Sequence, residues 1–115
     1  MNLKELENMV ENREIHPVAE AEKGEITKKD IKKDYLDFLK SYPFDLSNLK
    51  VVMDASNGMA ALLLEDIFGT RPIYLNNEVD GTFPNHAPNP LERENRSQLK
   101  KAVIKEEADL GLIFD

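Results

Sequence analysis

Apolar residues recur along this chain at two different intervals. Leu3, Leu6 and Val10 stand at helical spacing with Glu5, Glu7 and Glu11 on other faces, which predicts a short amphipathic helix. From Ile15 to Glu25 the text changes to mixed charge broken by Pro17 and Gly24, the composition of a connector. Thr27 precedes Lys28, Lys29 and Asp30 in the manner of a capping box, and Ile31, Tyr35, Phe38, Leu39 and Tyr42 follow on one helical face until Pro43 ends the run. The segment before Lys28 leaves room for a short extra strand around Glu25 to Thr27.

The second half alternates between the two periods. Leu49 to Met53 contains Val51 and Val52, stops at Asp54 and reads as a strand. Ala60, Leu63, Leu64, Ile67 and Phe68 then fall on one helical face, and Gly69 supplies a stop. Pro72 to Leu75 reads as a second strand, a proline-rich loop runs from Asn76 to Pro90, and Leu99, Ala102 and Val103 mark another helix. Leu110 to Phe114 is the third strand. Strands alternating with helices indicate βαβ units, so the expected fold is α/β: a three-layer alpha/beta/alpha sandwich with a mainly parallel sheet and right-handed crossovers. Residues 1–26 form an N-terminal helix and arm in this reading, and 27–115 form the domain.

Composition narrows the function classes. A length of 115 residues suits one domain, and 15 basic against 22 acidic side chains leave a net charge of −7, which opposes broad contact with nucleic acid. There is no Cys, hence no disulfide, thiolate zinc site or cysteine nucleophile, and the expected location is cytoplasmic. Lys4, Glu5, Glu7 and Asn8 do not resemble a secretory signal, and Met59 to Leu64 is far short of the ~20 apolar residues that span a bilayer, so no membrane partner is expected.

In an open parallel sheet, ligands bind beyond the carboxyl ends of the strands. Asp54, Asn76 and Asp115 mark those ends, and if the first and third strands are neighbours the two carboxylates share one rim. Asp54 also reads as a turn or capping residue. Asp54-Ala55-Ser56-Asn57-Gly58 is a tight strand-to-helix turn in which Gly58 permits positive φ and the helix N-terminus could receive an anion, although the glycine spacing of a nucleotide loop is missing. Ser56 has no neighbouring His to activate it. In the loop, Pro84, Pro88 and Pro90 restrict the backbone, Asn85 and Asn89 act as turn formers, and His86 reads as a structural hydrogen-bond partner.

The stretch VDGTFPNHAPNPLERENRSQL resembles the signature of the second domain of the α-D-phosphohexomutases, the phosphoglucomutase and phosphomannomutase family. It is flanked by VVMDASNGMA upstream and EADLGLIFD downstream, so the resemblance covers about Thr27 to Asp115. It implies a parent enzyme, an isomerase of carbohydrate metabolism, that moves a phosphoryl group between the 1- and 6-positions of a hexose phosphate through a phosphoserine and a bisphosphorylated sugar. It implies Mg²⁺ held by a loop of pattern Asp-Gly-Asp-x-Asp-Arg, whose first aspartate matches Asp115; the remaining ligands have no counterpart here. The family's phosphoserine loop belongs to its first domain, and its sugar- and phosphate-binding loops to domains three and four. No catalytic or cofactor-binding residue is therefore assigned in this chain, Asp115 is the one metal ligand, and the implied partners are the other three domains and a hexose phosphate.

The chain ends on an apolar run where a surface terminus is usual, so the expectation is an excised domain, inactive and without bound Mg²⁺ on its own, whose last strand invites weak self-association. Two other readings stay open. One is a stand-alone phospho-acceptor signalling domain of flavodoxin-like fold, which needs five strands; the other is a non-catalytic module that uses the proline-rich loop as its contact.

Overall fold

The computed structural model describes residues 2–14 and 16–115. The chain divides into two compact units, one running to Asp30 and one spanning Ile31–Asp115.

In the first unit, α1 (Leu3–Glu11) begins at a capping box: the Asn2 side chain accepts from the Glu5 amide at 2.9 Å, and the Glu5 carboxylate accepts from the Asn2 amide at 2.9 Å. After α1 the described residues are irregular, apart from a three-ten turn at Glu20–Glu22. Ile15, where the sequence places the start of the connector, lies outside the described residues. No strand forms at Glu25 to Thr27.

In the second unit, α2 (Lys32–Lys40) starts later than the capping pattern at Thr27 suggests, with Ile31 at its N-cap and no side-chain capping bond. Short helices are marginal without tertiary packing, and helical order here begins where α2 packs on α3 (Leu64–Phe68). The single helix expected over 60–68 is divided into a three-ten turn, Met59–Leu62, and α3, with the break at Leu63. Gly69, at φ 72°, ends α3 by donating its amide to the Glu65 carbonyl at 2.9 Å.

Three strands follow the expected order of elements: β1 (Val51–Asp54), β2 (Ile73–Leu75) and, after α4 (Ser97–Lys105), β3 (Leu110–Ile113). All pairings are parallel and the sheet order is β2-β1-β3, so the strand met first in sequence is central. Met53 pairs with Tyr74 on one side and Leu112 on the other. Because side chains alternate along a strand, Val51 and Met53 meet Leu64, Phe68 and Phe114 on one face, while α4 covers the other. The result is a three-layer α/β/α sandwich. The described residues contain three strands, which does not favour the five-stranded flavodoxin reading.

The α4 layer sits close. A Cβ added at Gly111 would lie 2.8 Å from Val103 Cγ2 and 3.1 Å from Leu99 Cδ1, so glycine lets α4 approach β3. Gly111→Ala is expected to cost about 1–3 kcal/mol through overpacking against a stiff β-branched neighbour, and Met53→Ala about 2–5 kcal/mol through a cavity in the central strand. Urea denaturation of the two variants measures both.

Candidate functional site at the carboxyl rim of the sheet

Asp54 ends the central strand and is 0% exposed. Its Oδ1 accepts from the Ser56 amide and from Asn76 Nδ2, each at 2.9 Å, and its Oδ2 lies 3.0 Å from His86 Nε2. The Ser56 contact is the turn role read from the sequence. The other two partners lie 22 and 32 residues away in the chain.

The turn after β1 differs from expectation in where it bends. Ser56 and Asn57 take positive φ, 52° and 56°, while Gly58 is extended. Glycine at 58 answers to space instead, since a Cβ there would lie 3.3 Å from the Ala55 carbonyl oxygen and 3.7 Å from that of Asp115. The Gly58 amide is used by the Ala55 carbonyl at 2.8 Å, and a three-ten turn follows, so no α-helical N-terminus opens here for an anion. Ser56, 1% exposed, donates its hydroxyl to the Phe114 carbonyl at 2.6 Å, and so is a strand-end clamp with no access for a substrate.

Asn57 is the residue that sequence reasoning passed over. Its backbone donates to Asn76 O and accepts from Asp80 N, each at 3.0 Å; its side chain donates to Glu78 O at 2.9 Å and accepts from Asn85 Nδ2 at 2.8 Å. All four bonds hold the proline-rich loop against the end of β1. The available signal was the Asn-Gly pair after a strand, because asparagine tolerates the left-handed region and bonds to local backbone. Within the loop, Asp80 accepts from both the amide and the hydroxyl of Thr82, and these bonds hold its carboxyl below the usual range.

His86 and Asp115 complete the rim. The His86 side chain is 8% exposed, with Nδ1 3.0 Å from the Ala87 carbonyl oxygen. Burial pushes the ring toward neutrality, and the Ala87 carbonyl together with the Asp54 carboxylate outweighs it, holding its pKa above the ordinary histidine value. Asp115 lies past the end of β3 and is exposed. It shares the rim with Asp54, since β1 and β3 are parallel neighbours, but the two carboxylates have opposite settings: one is sealed among donors and one faces outward. A phosphoryl group could not reach the Asp54 oxygens without displacing His86 or Asn76.

The family pattern described as phosphoglucomutase/phosphomannomutase, alpha/beta/alpha domain II, matches residues 33–115. The chain belongs to that family. It is similar to a phosphomannomutase of Salmonella typhimurium, 35% identical over 98% of this chain and 27% of the relative. A phosphomannomutase/phosphoglucomutase of Pseudomonas syringae pv. tomato is 41% identical over 83% of this chain and 21% of its own length. Among solved structures, a phosphoglucomutase/phosphomannomutase family protein from Burkholderia thailandensis superimposes with a TM-score of 0.74 at 26% identity, over 94% of this chain and 23% of that one. The chain thus spans about a quarter of the first of these relatives.

Magnesium, implied by the family resemblance, demands near-octahedral oxygen coordination. Among the described residues no three His, Cys, Asp or Glu side chains converge to hold a metal, and the Asp54 oxygens are committed to three donors. One outward carboxylate, Asp115, does not by itself fit the ion. Among the described residues no helix is long and apolar enough to cross a membrane.

Asn57→Ala is expected to cost about 2–4 kcal/mol, combining the left-handed backbone penalty with the orphaned Glu78 carbonyl and Asn85 amide. Asn57→Gly should recover the backbone share alone. Equal losses in thermal or urea unfolding would mean that the side-chain bonds carry the whole effect.

Proposed function

We propose that this chain is the second domain of a phosphomannomutase/phosphoglucomutase that interconverts hexose 1-phosphate and hexose 6-phosphate, and that its task is to present Asp115 at the sheet rim. In that reaction a phosphoserine outside these residues gives its phosphoryl group to the free hydroxyl of the sugar phosphate. The resulting bisphosphate turns over, and its other phosphoryl group returns to the serine. The observation that carries this reading is the domain II match across residues 33–115, joined to an outward aspartate at the carboxyl end of β3.

The surface supports a multidomain setting. An apolar groove of about 540 Å³ runs between α2 and α3, lined by Tyr35, Leu39, Tyr42, Phe44, Met59 and Ile67 among others. Exposed apolar surface of this kind marks contact sites, and the proposed partners are the other three domains of the parent enzyme. Asp115 would supply one of several ligands to Mg²⁺ there. The residue before it is already fixed from two sides, because Phe114 donates its amide to the Asp54 carbonyl at 2.9 Å and its carbonyl accepts from Ser56 Oγ. The chain itself makes and breaks no bond in this scheme.

Two measurements test the reading. The purified 115-residue chain should turn over neither glucose 1-phosphate nor mannose 1-phosphate, and detectable turnover by a rigorously purified sample would contradict it. Calorimetric titration of Mg²⁺ should show at least about tenfold tighter binding in a version lengthened through an Asp-Gly-Asp-x-Asp-Arg loop, because further aspartates then converge on one ion. Equal affinity in both, or no loss on Asp115→Asn in the lengthened version, would remove Asp115 as a ligand.

A further inference from the structure

His86 is built into the rim more firmly than a loop residue needs to be. Its Nδ1 lies 3.0 Å from the Ala87 carbonyl oxygen and its Nε2 3.0 Å from Asp54 Oδ2. A carbonyl and a carboxylate only accept, so both contacts are hydrogen bonds only when each ring nitrogen carries a proton. Asn76 Nδ2 also comes within 3.3 Å of Nε2, but its amide hydrogens go to Asp54 Oδ1 and Gln98 Oε1. It is a second donor aimed at the same carboxylate, and it does not serve as an acceptor for a ring proton.

We propose that doubly protonated His86 is a positioning residue that fastens the proline-rich loop to the carboxyl end of β1, and that the loop loosens around it when the ring gives up a proton. A neutral ring keeps one donor, so one of the two contacts then sets a nitrogen lone pair against an oxygen, and Asp54 loses its countercharge at full burial. The rest of the surroundings cannot replace that charge. From the end of β2 and from α4, Asn76 and Gln98 face the pair as neutral amides. Arg96, immediately before α4, and Lys100 of α4 line the groove along β3 with Gly111 and Ile113, Asp80 is engaged with Thr82, and Glu78 lines the neighbouring cleft with Asn57.

The direction of the pH effect follows from the raised pKa of the ring. Below the unfolded-state value, about 6.5, the ring is charged whether or not the loop is docked, and the stabilisation is fully present. It falls as pH rises past that value and is gone above the folded-state pKa. Loosening is local, since Asp80 and Glu78 stay tied to Asn57 by bonds that do not titrate.

The test is nuclear magnetic resonance on the ¹⁵N-labelled chain from about pH 5 to about pH 9. Ring nitrogen shifts report the protonation of His86, and heteronuclear NOE values for the amides of Asn85, His86, Ala87 and Asn89 report the order of the loop. The His16 signal is identified as the one that persists in His86→Gln. Expected are a His86 midpoint above that of the same residue in concentrated urea, a loss of loop order with that same midpoint, and a loop disordered at every pH in His86→Gln. Asp54→Asn should lower the midpoint. A wild-type midpoint at or below the urea value, loop order independent of pH, or a His86→Gln loop as ordered as wild type would each overturn the proposal. If Asp54→Asn does not fold, the comparison of wild type with His86→Gln decides the matter.

Discussion

A carboxylate without access to water must find donors, and the arrangement of this domain's rim follows from meeting that demand at Asp54. The residue ends the central strand of a sheet covered on both faces. Leaving it unpaired would cost several kcal/mol, so each of its partners is a fixed point of the structure. Ser56 supplies an amide by entering the left-handed region, Asn76 supplies one from the end of β2, and His86 supplies a charged ring from the loop. Three separate stretches of chain are thereby held to one side chain.

The same turn serves β3. Once Ser56 is left-handed, its hydroxyl faces the Phe114 carbonyl, and the Asp54 carbonyl takes the Phe114 amide. The peptide that carries Asp115 is therefore positioned by the residues that bury Asp54. Two acidic residues on one rim thus differ in setting: the buried one organises the backbone, and the exposed one keeps its carboxylate at the surface, where the proposed function would use it. Exchanging their settings would undo the rim, since an exposed Asp54 would be solvated by water and would gather no donors from the chain.

The layered fold was legible because it is written in local periods. Leu49 to Met53 and Leu110 to Phe114 read as short apolar strands, and Leu99, Ala102 and Val103 as a helical face; the strands form at Val51–Asp54 and Leu110–Ile113, in parallel pairing, and the helix at Ser97–Lys105. Local reading failed where packing overrides propensity. Thr27 to Asp30 has the letters of a cap, yet α2 begins only where α3 is there to receive it. Gly58 has the letter for positive φ, yet Ser56 and Asn57 adopt it, because the Ser56 amide must reach Asp54 and the Asn57 side chain must reach the loop. The pairing of His86 with Asp54 spans 32 residues, and no periodicity encodes a contact of that range.

The balance between apolar and polar cohesion explains why the rim takes this form. Among the described residues, burial of apolar side chains is confined to Val51, Val52, Met53, Ala55, Leu64, Pro72 and Leu99, on or around the central strand. Tyr35, Phe38, Tyr42, Phe44 and Met59 remain exposed to a third or more of their surface. A core so narrow cannot reach the loop of residues 76–90, which has no apolar anchor comparable with Leu64 or Leu99. Its attachment rests on Asn57, Asn76, Asn85 and His86, and hydrogen bonds of that kind contribute only about 0.5–1.5 kcal/mol each when neutral and about 1.5–3 when charged. The charged contact therefore decides whether this end of the loop stays closed, and a device that depends on one proton can exist here because apolar packing does not already settle the question.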